Sequence, residues 1–106
     1  FGYNSLVVDM PGLETMRALG VPVCFDATHS AQRPGGQGTS TGGVRESIPA
    51  MARAAVAVGV DAVFLECHPD PERALSDAAT QWPLDRAREL IQQISQVDQA
   101  RRALPH

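Results

Sequence analysis

The sequence predicts an α/β fold in which the strands of a parallel sheet alternate with helices packed outside it. Two observations carry that expectation. Residues 21–28 (VPVCFDAT) and 62–67 (AVFLEC) are continuous apolar runs that turn polar only at their C-terminal ends, the pattern of strands covered on both faces. Each is followed, after a loop, by a stretch whose apolar residues recur at helical spacing. The order strand, helix, strand, helix implies parallel strands, with any chemistry gathered beyond their C-terminal ends.

Ahead of the first strand, residues 6–10 form a short β-prone run closed by Pro11, and apolar side chains at 13, 16 and 19 precede Gly20. This predicts an extended segment, a short helix and a glycine stop. Residues 30–43 are a glycine-dense loop whose stretch 32–38 (QRPGGQG) lacks both the Gly-Lys-Ser/Thr of a phosphate-binding loop and the spacing of a dinucleotide fingerprint. A loop of this length reads as a mobile lid or a plain flexible connection, with Arg33 meeting a phosphate or standing in solvent. Residues 45–58 are alanine-rich with apolar positions at 48, 51, 55 and 58, and Gly59 follows as a helix stop. After the second strand comes a loop over 69–82. Pro83 suits the first turn of a helix, and Leu84, Ala87, Leu90 or Ile91, Ile94 and Val97 continue a 3.6-residue stripe toward Ala103. The single tryptophan, Trp82, is expected to pack where that helix begins.

With 106 residues, 43% of them hydrophobic and 20% charged, the chain can bury one modest core. A net charge of −3 offers no electrostatic footprint for nucleic acid or an anionic membrane. No apolar stretch approaches a membrane span and no targeting segment is visible. All nine basic residues are arginine, so no lysine Schiff base can form within this segment. Cys24 and Cys67 lie in apolar runs, which predicts reduced, buried thiols and a cytoplasmic setting. The start at Phe1, with no lead-in to any element, predicts that the chain is cut from a longer one.

Polar side chains cluster at both strand ends. Asp26, Thr28 and His29 end the first, and His29 suits either a ligand or a histidine that caps the strand by hydrogen bonding to a loop. Glu66, His68 and Asp70 end the second, with Ser76 and Asp77 beyond. A carboxylate inside an apolar strand costs several kcal/mol unless it is paired, hydrogen bonded or metal bound, so Glu66 marks either a site or an ion pair with an arginine. Asp77 equally suits a helix N-cap or a turn. Together His29, Glu66 and Asp77 offer one nitrogen and two oxygens, a set suited to a first-row divalent ion but short of a closed site. If Glu66 points inward, alternation sends Cys67 toward the helices, as core. Cys24 and His68 are expected to be structural.

FGYNSLVVDM, FDATHSAQ, the PGGQG loop and FLECHPDPERALSDAATQWPL together resemble the 3-deoxy-D-manno-octulosonate 8-phosphate synthases over nearly the whole chain. The resemblance implies the C-terminal part of a (β/α)8 TIM barrel, residues 1–106 being a partial barrel domain with VPVCFDAT and AVFLEC as its seventh and eighth strands. It also makes residues 6–10 a connection into a helix. It implies condensation of phosphoenolpyruvate with arabinose 5-phosphate and water to give 3-deoxy-D-manno-octulosonate 8-phosphate and phosphate, in lipopolysaccharide precursor biosynthesis. In the metal-dependent branch, which SDAATQ resembles more than the metal-free one, the motif histidine, glutamate and aspartate match His29, Glu66 and Asp77 as ligands to a divalent ion such as Fe, Zn or Mn. The fourth ligand would be a cysteine upstream of this chain. His29 and Asp77 would be catalytic; His29, Gln32, Ser76 and Gln81 would meet substrate. The family forms homotetramers.

Two alternatives remain. The 3-deoxy-D-arabino-heptulosonate 7-phosphate synthases share the barrel and an H-P-x-P…S-D segment, though FGYNSLVVDM and DATHSAQ argue against them. A truncated, non-catalytic domain is the other, since two strands cannot close a barrel of about 250 residues.

Overall fold

A computed structural model of the chain describes residues 5–37 and 40–105. Residues 5–9 form no strand and run directly into helix α1 (Met10–Arg17). The β-prone composition of 6–10 is overruled because Asp9 caps the helix, accepting from the Gly12 amide at 3.1 Å, and Pro11 sits in its first turn. Of the predicted stripe only Leu13 is buried; Met16 and Leu19 are 50% and 75% exposed.

Strands β1 (Cys24–Asp26) and β4 (Ala62–Phe64) pair in parallel, with Asp26 level with Phe64. Phe25, Val63 and Leu65 face α2 (Ile48–Val58) and α3 (Ala87–Arg102), where Ile48, Ala52, Ala55 and Leu90 close the core. The opposite face carries Cys24, Asp26, Ala62 and Phe64 and is open among the described residues. The expectation of strands covered on both faces is therefore corrected, and with it the burial of Cys24, which is exposed, while Phe64 is 45% exposed. The helices cover one side only. The accessible surface of 7087 Å² exceeds the roughly 5,700 Å² of a compact protein of this mass. The radius of gyration, 14.7 Å, likewise exceeds the usual ~13 Å.

The glycine-dense stretch 30–43 is not an unstructured loop. A 3-10 turn (His29–Ala31) leads into an antiparallel hairpin of β2 (Gln32–Gln37) and β3 (Ser40–Gly43), Gln32 opposite Gly43. Its base is tied by the Val44 amide donating to Ala31 at 2.9 Å. Glycine is required at 43, where a Cβ would stand 2.3 Å from Thr80 Cγ2; a bare backbone lets the hairpin lie on the 78–80 turn. The predicted helix over 45–58 is present as a 3-10 turn (Arg45–Ser47) followed by α2. Pro83 does not open the last helix. With Trp82 it forms β6 (Trp82–Pro83), parallel to β5 (Cys67–His68), and a 3-10 turn (Leu84–Arg86) intervenes before α3. Trp82 is buried at the start of that helical stretch, with the Arg86 guanidinium 4.8 Å from its ring centroid. Among the described residues no helix is long and apolar enough to cross a membrane.

Helix α2 ends as its sequence requires, on Gly59 at φ 113°. An added Cβ would meet Arg17 Cζ at 2.8 Å; that guanidinium is a flexible end and can retreat, but the backbone strain stays. Gly59→Ala should cost about 1–2 kcal/mol, lowering the urea midpoint at unchanged m-value, and Arg17→Ala should fail to restore it.

Candidate metal centre

Parallel pairing in register brings the C-terminal ends of β1 and β4 side by side, and the polar clusters with them. At the end of β1, the Asp26 carboxylate holds His29 twice: one oxygen accepts from the His29 amide at 2.9 Å, the other meets Nδ1 at 2.6 Å. The ring also stacks on Phe64, 6.1 Å between centroids. Fixing Nδ1 leaves Nε2 to face the site, the arrangement by which a carboxylate orients a ligating histidine. Nε2 lies 3.0 Å from Asp77 Oδ2 and 3.9 Å from Glu66 Oε1. His29 thus lies against Glu66 and Asp77, and its 3.0 Å contact with Asp77 also ties the strand end to the loop beyond the second strand.

Glu66 follows β4 on the inward side of the alternation. Its amide donates to Thr28 Oγ1 at 2.8 Å and its carbonyl accepts from the Trp82 amide at 2.9 Å. Among the described residues no arginine pairs with it. Instead Gln81 Nε2 donates to Oε2 at 2.6 Å. Asp77 sits at φ 54°, a left-handed conformation uncommon outside glycine. Although it stands where it could cap the turn Ala78–Thr80, its side chain makes no cap bond. Its Oδ1 accepts from Gln32 Nε2 at 2.8 Å and its Oδ2 faces His29. One ligand atom each from His29, Glu66 and Asp77 lies within 4.8 Å of the others. Donors roughly 2.0–2.2 Å from one ion stand at most about 4.4 Å apart, so the three atoms would draw in slightly to share an ion, and an imidazole with two carboxylates suits a first-row divalent metal.

The remaining sequence candidates divide. Gln32 and Gln81 join the centre, but their amide nitrogens go to the two carboxylates. Ser76 and Arg33 are exposed. Cys67 faces away from Glu66 as expected, packing against the core, where burial pushes its thiol pKa up. His68 accepts the Asp70 amide at 2.9 Å, a local turn contact. Sequence reasoning missed Asp26 and Thr28 as supports; an aspartate three residues before His29 at a strand end was the available signal for the first. It also missed Arg45, whose Nε and Nη2 donate to the Gln81 and Ala78 carbonyls at 2.7 and 2.6 Å. No local pattern marks Arg45, because the segment it holds lies far along the chain.

The DAHP synthetase I family model matches residues 1–103. The chain is 58% identical over 105 residues to the 2-dehydro-3-deoxyphosphooctonate aldolase of Methylococcus capsulatus, an alignment covering 99% of this chain and 37% of that protein. It is 61% identical over 95 residues to the protein of the same name from Nitratidesulfovibrio vulgaris, covering 90% and 35%. The chain thus spans about a third of the length of these relatives. Among solved structures it matches a truncated 3-deoxy-D-arabino-heptulosonate 7-phosphate synthase of Thermotoga maritima with a TM-score of 0.71 at 28% identity, covering 89% of this chain and 32% of that one. These neighbours are TIM barrels, and the chain has the fold of part of one.

The Asp26 hydrogen bond raises the His29 pKa above its ordinary value; burial opposes it, and the Asp77 hydrogen bond adds a smaller rise. The protonated ring bridges two carboxylates. A group with a raised folded-state pKa contributes stability that is complete below its unfolded value, near 6.5, and that fades as pH rises through the raised one. Without metal, the chain should therefore lose stability as pH climbs through that window. Asp26→Asn should bring the His29 titration, followed by NMR, back toward the ordinary value.

Proposed function

The chain belongs to the DAHP synthetase I family, and on that premise we propose that residues 1–106 are a partial barrel domain of a 3-deoxy-8-phosphooctulonate synthase whose other strands precede it. The parent would condense phosphoenolpyruvate with arabinose 5-phosphate and water, releasing phosphate, in lipopolysaccharide precursor biosynthesis. The observation that carries this reading is the contrast in identity: 58% and 61% to proteins named for the octonate, against 28% to those named for the heptonate. The parent works in the cytoplasm as a homo-oligomer, a tetramer as in the family, on small molecules and not on nucleic acid or membrane. The 106 residues alone are inactive, because the open sheet face leaves the site without the wall that would carry the phosphoenolpyruvate.

In the condensation, the enol carbon of phosphoenolpyruvate bonds to the sugar aldehyde carbon, water adds to the neighbouring carbon, and the phosphate C–O bond then breaks. His29, Glu66 and Asp77 would hold a divalent ion (Fe, Zn, Mn or similar) with an upstream cysteine as fourth ligand. Bound there, the ion would supply positive charge to polarise the aldehyde or orient the water. Within this chain, Asp26 keeps the His29 ring from turning and holds the proton at Nδ1, so that Nε2 faces the reacting groups. His29 and Asp77 stand nearest the chemistry. Ser76, exposed beside Asp77, would meet substrate. Gln32 and Gln81 serve the substrate through the carboxylates they hold.

The test is an assay of the intact parent with arabinose 5-phosphate and, separately, erythrose 4-phosphate. Phosphate release with the five-carbon sugar, abolished by a chelator and restored by added metal, is expected; preference for the four-carbon sugar would return the chain to the heptulosonate enzymes. His29→Ala should lower kcat by roughly 10³-fold or more and lose the bound metal measured by elemental analysis.

A further inference from the structure

Each of the three candidate ligands has two donor atoms, and in each one donor is already engaged. Asp26 holds Nδ1 of His29 at 2.6 Å, Gln32 donates to Oδ1 of Asp77 at 2.8 Å, and Gln81 donates to Oε2 of Glu66 at 2.6 Å. The atoms left over, Nε2, Oδ2 and Oε1, are the three turned toward one another: Nε2 is 3.0 Å from Oδ2 and 3.9 Å from Oε1.

Gln81 is the more firmly held of the two glutamines. It is 6% exposed. Its amide N–H donates to the Asp77 carbonyl at 3.0 Å, and its own carbonyl accepts from Arg45 Nε at 2.7 Å. The next residue, Trp82, donates its amide to the Glu66 carbonyl at 2.9 Å. Gln81 therefore spans the two carboxylate residues through backbone and side chain together. For Glu66 to present both oxygens to one ion, Oε2 would have to divide its lone pairs between the ion and the Gln81 N–H and turn from its present direction, weakening the bond of a buried amide. Calcium favours six to eight oxygens, often with bidentate carboxylates, whereas zinc-like ions accept four donors including nitrogen.

We propose that Gln81, with Gln32 as its counterpart on Asp77, is a positioning residue that holds Glu66 to one coordinating oxygen and so makes the centre select small first-row divalent ions over calcium. The proposal rests on the metal role assigned above to His29, Glu66 and Asp77.

The experiment uses the intact parent stripped of metal, with Co(II) and Ca(II) as probes. Affinities are measured by titration and the coordination number by the visible absorption of Co(II), which is intense at low coordination and weak at six. The unaltered protein should bind Co(II) with intense absorption and resist displacement by calcium. Gln81→Leu, folded by circular dichroism, should bind Co(II) roughly 10–100-fold more weakly, with weaker absorption, and yield to roughly 10-fold less calcium. Unchanged affinity, spectrum and calcium competition in that variant would overturn the proposal while leaving the metal reading intact. Equal Co(II) uptake by the unaltered protein and His29→Ala would instead sink the metal reading itself. If Gln81→Leu does not fold, Gln32→Leu on the hairpin takes its place: the same loss of selectivity is expected, and its absence would be equally fatal.

Discussion

The register between β1 and β4 is the constraint from which the site follows. Because Asp26 lies level with Phe64, His29 and Glu66 leave their strands at the same height, and the ring of one stacks beside the strand end of the other. A slip of one residue would exchange the faces, sending Glu66 into the helices and Leu65 into the polar cluster. The register is secured from the apolar side, where Phe25, Val63 and Leu65 must meet α2 and α3. A packing requirement on one face thereby places charges on the other.

Much of this was legible in the chain, for identifiable reasons. Apolar runs with polar ends locate strands whatever their partners are, and Gly59 marks the end of α2 because few other residues accept its φ. His29, Glu66 and Asp77 could be singled out because ionisable groups at apolar strand ends need a reason to be there. The errors also have a common physical source. Burial of Cys24, the stripe at 13, 16 and 19, and an unstructured 30–43 were each inferred from local composition, while the outcome depends on what packs opposite. Cys24 has nothing across from it among the described residues. The glycines of 30–43 read as looseness, yet Gly43 is there for close approach to Thr80. Arg45 left no local trace because its partners, Ala78 and Gln81, are more than thirty residues away.

The supports of the centre form a layer of their own. Asp26, Thr28, Gln32, Arg45 and Gln81 come from the strand end, the hairpin, the turn before α2 and the segment before Trp82. The hairpin is therefore part of the scaffold at its base. Through Arg45 the 78–81 segment is fastened to the start of a helix already seated on the sheet, so the mutual positions of Glu66 and Asp77 depend on the same core that holds the strands.

The left-handed backbone at Asp77 narrows what can occupy that position by two independent filters. At φ 54° and ψ 33° the main chain tolerates glycine, asparagine and aspartate and resists branched or bulky side chains. The contacts with Gln32 and His29 demand a short acceptor with two oxygens. Only aspartate satisfies both. Glutamate would retain the charge but lose the short reach and the conformational ease, and asparagine would keep the backbone but not the anion. The permissible alphabet at this site is a single letter, set by geometry and electrostatics acting separately.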